Sequence, residues 1–177
     1  MEITPLRVAV VIGSAREGRF GPTVAAWIAA EIGLRPELVP ELVDVAEVGS
    51  GTVTKQLGLA DAFIVVTPEY NHSFPAPLKA VIDDHYTEWQ AKPVAFVSYG
   101  GLSGGLRAVE QLRPIFAELH AVTVRDTVSF HGGRKCFDVD GRVADPESSA
   151  AAGRLLDRLT WWAHTLRDAR VARPYAS

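Results

Sequence analysis

Three glycine- and hydroxyl-rich stretches hold most of the side chains that could do chemistry in this 177-residue sequence. The first is Gly13-Ser14-Ala15-Arg16-Glu17-Gly18-Arg19-Phe20-Gly21-Pro22-Thr23. It offers the hydroxyls of Ser14 and Thr23 and the guanidiniums of Arg16 and Arg19 just where a helix should begin. A helix N-terminus adds unpaired amides and a positive dipole end, so the set suits a phosphate monoester. The plainer alternative is a glycine-rich turn with solvated arginines. The second stretch, Thr67-Pro68-Glu69-Tyr70-Asn71-His72-Ser73-Phe74-Pro75, offers a stiff turn, a flat aromatic and the Asn71 amide. Those groups match a planar heterocycle with hydrogen-bonding edges. Tyr70 and Phe74 could equally be hydrophobic cover, and His72 alone reads as an exposed loop histidine. The third, Ser98-Tyr99-Gly100-Gly101-Leu102-Ser103-Gly104-Gly105, has four glycines that let backbone amides approach a ligand without Cβ interference, or that simply make a flexible turn.

Other chemistries are disfavoured by what these stretches lack. There is no G-x-x-x-x-G-K-[ST] and no G-x-G-x-x-G, which argues against P-loop nucleotide hydrolysis and against a dinucleotide fingerprint. Without that fingerprint Asp44 reads as a solvated strand-end carboxylate. Gly101-Leu102-Ser103-Gly104-Gly105 does fit G-x-S-x-G, the nucleophile elbow of serine hydrolases. An elbow, however, places its serine directly at a strand end, whereas Ser103 lies several residues past Val97 or Ser98. The available bases are also poorly placed. His164 falls inside an amphipathic helix pattern, and His131 and His120 precede Asp138, the wrong order. Asp83-Asp84 and Glu88 read as a solvated helix face, Trp161-Trp162 as core on one side and interface on the other, and Cys136 as a bystander.

Positioning three loops requires a scaffold, and the apolar pattern describes one. Short runs at Leu6 to Ile12, Leu38 to Val45, Ala62 to Val66, Val94 to Val97 and Val122 to Val124 alternate with amphipathic stretches, as βαβ units of a parallel sheet do. The first, third and fourth lack polar alternation, as central strands covered on both faces should. Helices are predicted from Gly21-Pro22 (Val24, Ile28, Ile32), from Pro75 and Pro77 (Leu78, Val81, Ile82, His85), and from Leu106 to Leu119 with a kink at Pro114. The last helix is predicted from Asp145-Pro146-Glu147 with the stripe Leu155, Leu156, Leu159, Trp162, Leu166. One or two helical turns are expected around Thr52 to Leu57 within 46–60. A polar loop with an Asp140-Gly141 turn is expected between Asp126 and Asp145, as a hairpin or an excursion at a subunit contact. In an open α/β sheet, loops at the carboxyl ends of strands converge at the topological switch point, so the first two stretches should face one ligand.

Composition bounds the partners. The length suggests a single domain, 1–177. A net charge of −3 argues against a nucleic-acid binder, so any anion must be caught by a local cluster. One cysteine excludes an intrachain disulfide and a multi-thiolate metal site, and no metal is expected. No apolar run approaches the 18 or so residues of a membrane span, and Val8 to Ile12 is too short for a signal peptide, so a cytoplasmic protein is expected.

Taken together, Gly13-Ser14-Ala15-Arg16, Pro68-Glu69-Tyr70-Asn71 before Pro75-Ala76-Pro77-Leu78-Lys79, and Ser98-Tyr99-Gly100-Gly101 resemble the NAD(P)H-dependent FMN reductases, flavoproteins related to quinone, azo and chromate reductases. The resemblance continues through Leu112-Arg113-Pro114 and Phe137-Asp138-Val139-Asp140-Gly141 and covers most of the chain. It implies a three-layer flavodoxin-like α/β fold with a five-stranded parallel sheet in the order 2-1-3-4-5, holding noncovalent FMN. It also implies Ser14 and Arg16 at the phosphate, with Arg19, Phe20 and Gly21 beside them. Pro68, Glu69, Tyr70 and Asn71 would border the isoalloxazine on one side and Ser98, Tyr99, Gly100 and Gly101 on the other. NAD(P)H would deliver hydride to the flavin N5. After it leaves, a quinone, azo dye, metal oxyanion or free flavin takes the electrons in a ping-pong cycle that needs no catalytic side chain. A homodimer or homotetramer is implied as well. Two departures stand out: Gly18-Arg19-Phe20 replaces a hydroxyl residue common after the arginine, and His72 replaces a common glycine, narrowing access to the ring. A flavin-binding regulatory or electron-carrier module is the alternative from a different class, and a small serine hydrolase using Ser103 is the third.

Overall fold

The computed structural model describes residues 4–47 and 51–176. Five parallel strands, β1 (Leu6–Ile12), β2 (Leu38–Asp44), β3 (Ala62–Pro68), β4 (Pro93–Gly100) and β5 (Val122–His131), form one sheet in the order β2-β1-β3-β4-β5. This is the expected flavodoxin-like arrangement. The reversal of strand order between β1 and β3, which run parallel, creates the switch point. Helices α1 (Gly21–Gly33), α2 (Thr52–Leu59), α3 (Ala76–Asp83), α4 (Leu106–Glu118) and α5 (Pro146–Ala172) supply the crossovers and the outer layers.

Side chains of a strand alternate between faces, so each central strand feeds two cores. Val8, Val10 and Ile12 of β1, with Ile64 and Val66 of β3, pack against α1 and α5. Ala9 and Val11, with Phe63 and Val65, pack against α2, α3 and α4. Trp89 sits at the centre of the second core, its ring 4.6 Å from that of Phe63 and 5.3 Å from that of Phe116. The last helix starts as its residues dictate, with the Asp145 side chain accepting from the Glu147 amide at 3.1 Å. Pro114 lies inside α4.

One expectation needs correcting. Residues 126–131 belong to β5, not to a loop. At this sheet edge only Val124, Val128 and Phe130 are buried, and the intervening polar residues disguise a strand. The excursion after β5 is then short: a 3₁₀ turn (Gly133–Cys136) and a hairpin closed by the Phe137↔Val143 bridge. Part of the 46–60 stretch lies outside the described residues, but α2 is the two-turn helix anticipated there, slightly longer. No helix among the described residues is long and apolar enough to cross a membrane.

At the edge of the fold opposite the switch point, the ammonium of Lys92, only 7% exposed, donates to the carbonyls of Leu57 and Gly58 at the end of α2, at 3.1 and 3.0 Å. Burial pushes its pKa down to about 8, and the Arg170 guanidinium pushes the same way. The unfolded chain, at the ordinary 10.5, therefore binds more protons across that window, and stability rises with pH there. A rise on the order of 3 kcal/mol is expected from this group. Burial also raises Tyr99 to about 12, which works against stability above pH 10 in all variants alike. Urea unfolding of wild type and Lys92→Met between pH 7.5 and 10.5 isolates the lysine: the difference between the two should shift steadily across the range, and parallel profiles would refute it.

Candidate functional site

The loops after β1, β3 and β4 touch one another at the carboxyl edge of the sheet. The Gly13 amide donates to the Val66 carbonyl at 2.9 Å, and a Cβ on Gly13 would lie 3.0 Å from that oxygen and from Leu78, so a side chain would crowd this close crossing. The next residue, Ser14, is fully buried, with its Oγ 3.3 Å from the Tyr99 hydroxyl. Arg16 lies over the Tyr70 ring, 3.9 Å from its centroid. The Glu69 amide donates to the Tyr99 carbonyl at 3.3 Å. Phe20 meets Tyr99 edge-on at 5.9 Å, and Gly21 lies close enough that an added Cβ would fall 3.2 Å from the Tyr99 hydroxyl. Tyr99, with its pKa pushed up by burial, stays a protonated phenol and so a possible donor at this rim.

The two arginines of the first loop do different jobs. Arg19 makes a bidentate pair with Asp44 at the end of β2 and also donates to the Ser14 carbonyl. Asp44 is therefore not the solvated carboxylate its position suggested: its side chain is 17% exposed. Burial alone would raise its pKa, but the Arg19 guanidinium and the Ala46 amide hold the carboxyl below the usual range. The pair pins the loop to the sheet and occupies the Arg19 guanidinium. Arg16, by contrast, has no carboxylate within 4.0 Å among the described residues. The start of α1 carries no side-chain cap and no acidic residue in its first turn. An uncapped helix end beside Arg16 and Ser14 is a place for an anion.

The second loop turns on Asn71 and His72, with φ of 51° and 65°, and closes through reciprocal Tyr70–Ser73 backbone hydrogen bonds of 2.8 and 3.0 Å. Two consecutive left-handed residues make a type I′ turn. The Asn71 side chain is exposed and makes no hydrogen bond within the described residues. Glu69 faces the other way. Its carboxylate, 7% exposed, accepts from the Ser103 hydroxyl and from Arg107 at 2.7 Å. Arg107 also reaches Nε2 of His72 at 3.0 Å, and Gln111 donates to the His72 carbonyl at 2.7 Å. Ser103 is thus a strut between two loops. Its hydroxyl is shared by Glu69 and the Gly105 amide, with no imidazole partner, which removes the basis of the hydrolase reading.

In the third loop, Ser98 is buried and its hydroxyl donates to the Gly104 carbonyl at 2.8 Å, holding the turn shut. Gly100 and Gly101 carry the backbone past Glu69 and the end of β5. Arg107, Gln111 and Arg134 do not stand out in the sequence; the last of them donates to the Gly18 carbonyl. Arg107 did leave a signal: a cation in the first turn of a helix opposes the dipole and asks for a nearby carboxylate.

A sequence profile described as NADPH-dependent FMN reductase matches residues 6–135, well over half of the chain. The chain belongs to that family. Among its relatives, a Schizosaccharomyces pombe protein named NAD(P)H-dependent FMN reductase is 35% identical, over 59% of this chain and 62% of its own length. An Arabidopsis thaliana NADPH:quinone oxidoreductase is 31% identical over 93% of this chain and 95% of its own. The fold matches that of FerB, a flavoenzyme NAD(P)H:(acceptor) oxidoreductase from Paracoccus denitrificans, with a TM-score of 0.72 at 19% identity over 89% and 97% of the two chains. The donor set of this FMN reductase family member fits the mononucleotide: an unneutralised helix end, a buried serine hydroxyl and an arginine without a carboxylate. The first turn of α1 carries no acidic residue to oppose a phosphate.

Because Arg107 neutralises a largely buried carboxylate, Arg107→Ala should lower stability by about 1–2 kcal/mol in urea unfolding, with Arg107→Lys losing less. A fluorophosphonate probe should leave Ser103 unlabelled. An Arg107→Ala protein as stable as wild type would show that the Glu69 network contributes little.

Proposed function

We propose that this protein binds FMN noncovalently and uses it to pass electrons from NAD(P)H to a small acceptor such as a quinone, azo compound, metal oxyanion or free flavin. The observation that carries the reading is the meeting of three loops at one rim through Ser14–Tyr99, Arg16–Tyr70 and Glu69–Tyr99. Ser14, Arg16 and the backbone of Phe20 and Gly21 would hold the phosphate. Pro68 to Asn71 and Tyr99 to Gly101 would flank the ring. The bound flavin supplies the two-electron chemistry.

Each protein group then has a task of placement. Arg16 brings charge to the phosphate while lying on Tyr70, which ties the anion end of the site to the ring end. Arg19 supports the same loop through Asp44 and Ser14. The Glu69–Arg107 pair fixes the turn that bears Asn71, whose unpaired side chain amide is placed to meet a hydrogen-bonding ring edge. His72 stands next to it as the residue that limits access of the acceptor. No side chain is required as acid or base, and the donor and acceptor would share one face in turn, giving ping-pong kinetics.

The purified protein should be yellow. Under anaerobic conditions NADPH should bleach the flavin absorbance and menadione should restore it, with parallel double-reciprocal plots in the steady state. A colourless protein that takes up no FMN would end this reading, and slow reduction by NAD(P)H but fast reduction by a partner protein would favour an electron carrier. Arg16→Ala should weaken FMN binding by about 1.5–3 kcal/mol, the scale of one charged hydrogen-bonding partner. Unchanged affinity would place the anion elsewhere.

A further inference from the structure

A cleft opens beside this rim. It lies between the first turns of α1 and the hairpin after β5, has a volume of about 660 Å³, and is lined by Phe20, Thr23, Arg134, Phe137, Asp138 and Asp140 among others. That volume is in the range of small-molecule sites. Its flat walls are Phe20 and Phe137, which meet edge-on at 5.1 Å. Its cation is Arg134, whose guanidinium stands 4.8 Å above the Phe20 ring and has no carboxylate within 4.0 Å among the described residues.

The two acidic residues in the hairpin are already engaged. Asp138 Oδ1 accepts from the amides of Asp140 and Arg142 at 2.9 and 2.8 Å, and Asp140 lies 3.4 Å from the Arg142 guanidinium. The Thr23 hydroxyl makes no hydrogen bond within the described residues, so it is available. At Gly141, with φ of 75°, an added Cβ would lie 3.1 Å from Thr23, so the hairpin closes tightly on α1. The outer wall, residues 136–143, lies beyond the part of the chain that the family profile matches.

We propose that this cleft holds the adenosine end of the reducing dinucleotide, with Arg134 reading its 2′-phosphate. The inference rests on the redox function proposed above, which requires the donor's nicotinamide to reach the ring. Phe20 links the two places, since its ring meets both Tyr99 at the rim and Phe137 in the cleft edge-on. Adenine, a flat ring, finds the two phenyl groups; a phosphate finds a guanidinium that no carboxylate of the described residues pairs; a ribose hydroxyl finds Thr23. The assignment makes NADPH the preferred donor over NADH.

The test uses the FMN-loaded protein and adenosine 2′,5′-bisphosphate, which carries the adenosine end without the nicotinamide and so binds or fails to bind regardless of any electron transfer. Calorimetric titration should show saturable binding, about tenfold tighter than 5′-AMP. In Arg134→Gln that preference should vanish while FMN affinity changes by less than about threefold, and KM should rise for NADPH but not for NADH. Arg134 also touches the Gly18 carbonyl. If its loss releases FMN, Val139→Glu decides instead: this fully exposed tip residue lines the cleft, and a new charge there should weaken the bisphosphate about tenfold with FMN untouched. The proposal is overturned if the bisphosphate does not bind to protein whose flavin NADPH reduces, if it displaces FMN, or if Val139→Glu leaves its affinity unchanged. A protein that binds the bisphosphate but is never reduced by NADPH would refute the redox function and leave the nucleotide cleft standing.

Discussion

Burial of β1, β3 and β4 on both faces is the constraint from which the site follows. A strand whose side chains alternate between two closed cores cannot slip by one residue without turning both sets inside out. Val10 opposite Ile64 and Val65 opposite Phe96 therefore fix the register across the middle of the sheet. Once that register is set, Gly13, Pro68 and Gly100 must leave the sheet at the same edge. The Gly13–Val66 and Glu69–Tyr99 hydrogen bonds are the direct result of strands ending in step. Loops 85 residues apart in sequence, such as those of Ser14 and Tyr99, meet because the hydrophobic cores leave them no alternative.

Charge is distributed around this rim with a division of labour. Arg19 and Arg107 are bound to carboxylates, Asp44 and Glu69, and hold loops in place. Arg16 and Arg134 rest instead on aromatic rings, at 3.9 and 4.8 Å, where the attraction is weaker. An arriving phosphate competes poorly for a guanidinium already in a bidentate pair and well for one lying on a ring. The chain's overall net charge of −3 makes this local arrangement necessary, since no long-range field gathers anions to the site.

Much of this was legible from residue order, and the omissions have physical causes. Continuous apolar runs identified β1, β3 and β4 because doubly covered strands need no polar side, and the proline-opened helices followed from φ preference. The edge strand β5 was read too short because Thr127 and Ser129 alternate with its few buried residues, a pattern shared by loops. Asp44 reads as solvated in the sequence because its partner lies 25 residues away, on a loop whose path no local rule gives. Arg134 was overlooked for the same reason: its contact with Gly18 spans 116 residues. Ser103 matched a hydrolase motif, yet hydrogen bonding to Glu69 and Gly105 fixes its role, and no pattern of five residues contains that information.

The turn at Asn71 and His72 shows how such long-range contacts outweigh a local preference. A type I′ turn places both central residues at positive φ, where asparagine is tolerated and glycine is favoured at the second position. Histidine there carries a local conformational cost of about 1 kcal/mol, and it is held by two groups of α4, Arg107 at its ring and Gln111 at its carbonyl, while Ser73 of the same turn donates to Gln111 at 2.6 Å. A guanidinium can only donate, so Nε2 of His72 must be the acceptor and Nδ1 must carry the proton. The strained backbone and the fixed ring are two consequences of one arrangement, in which α4 dictates the shape of a turn that β3 begins.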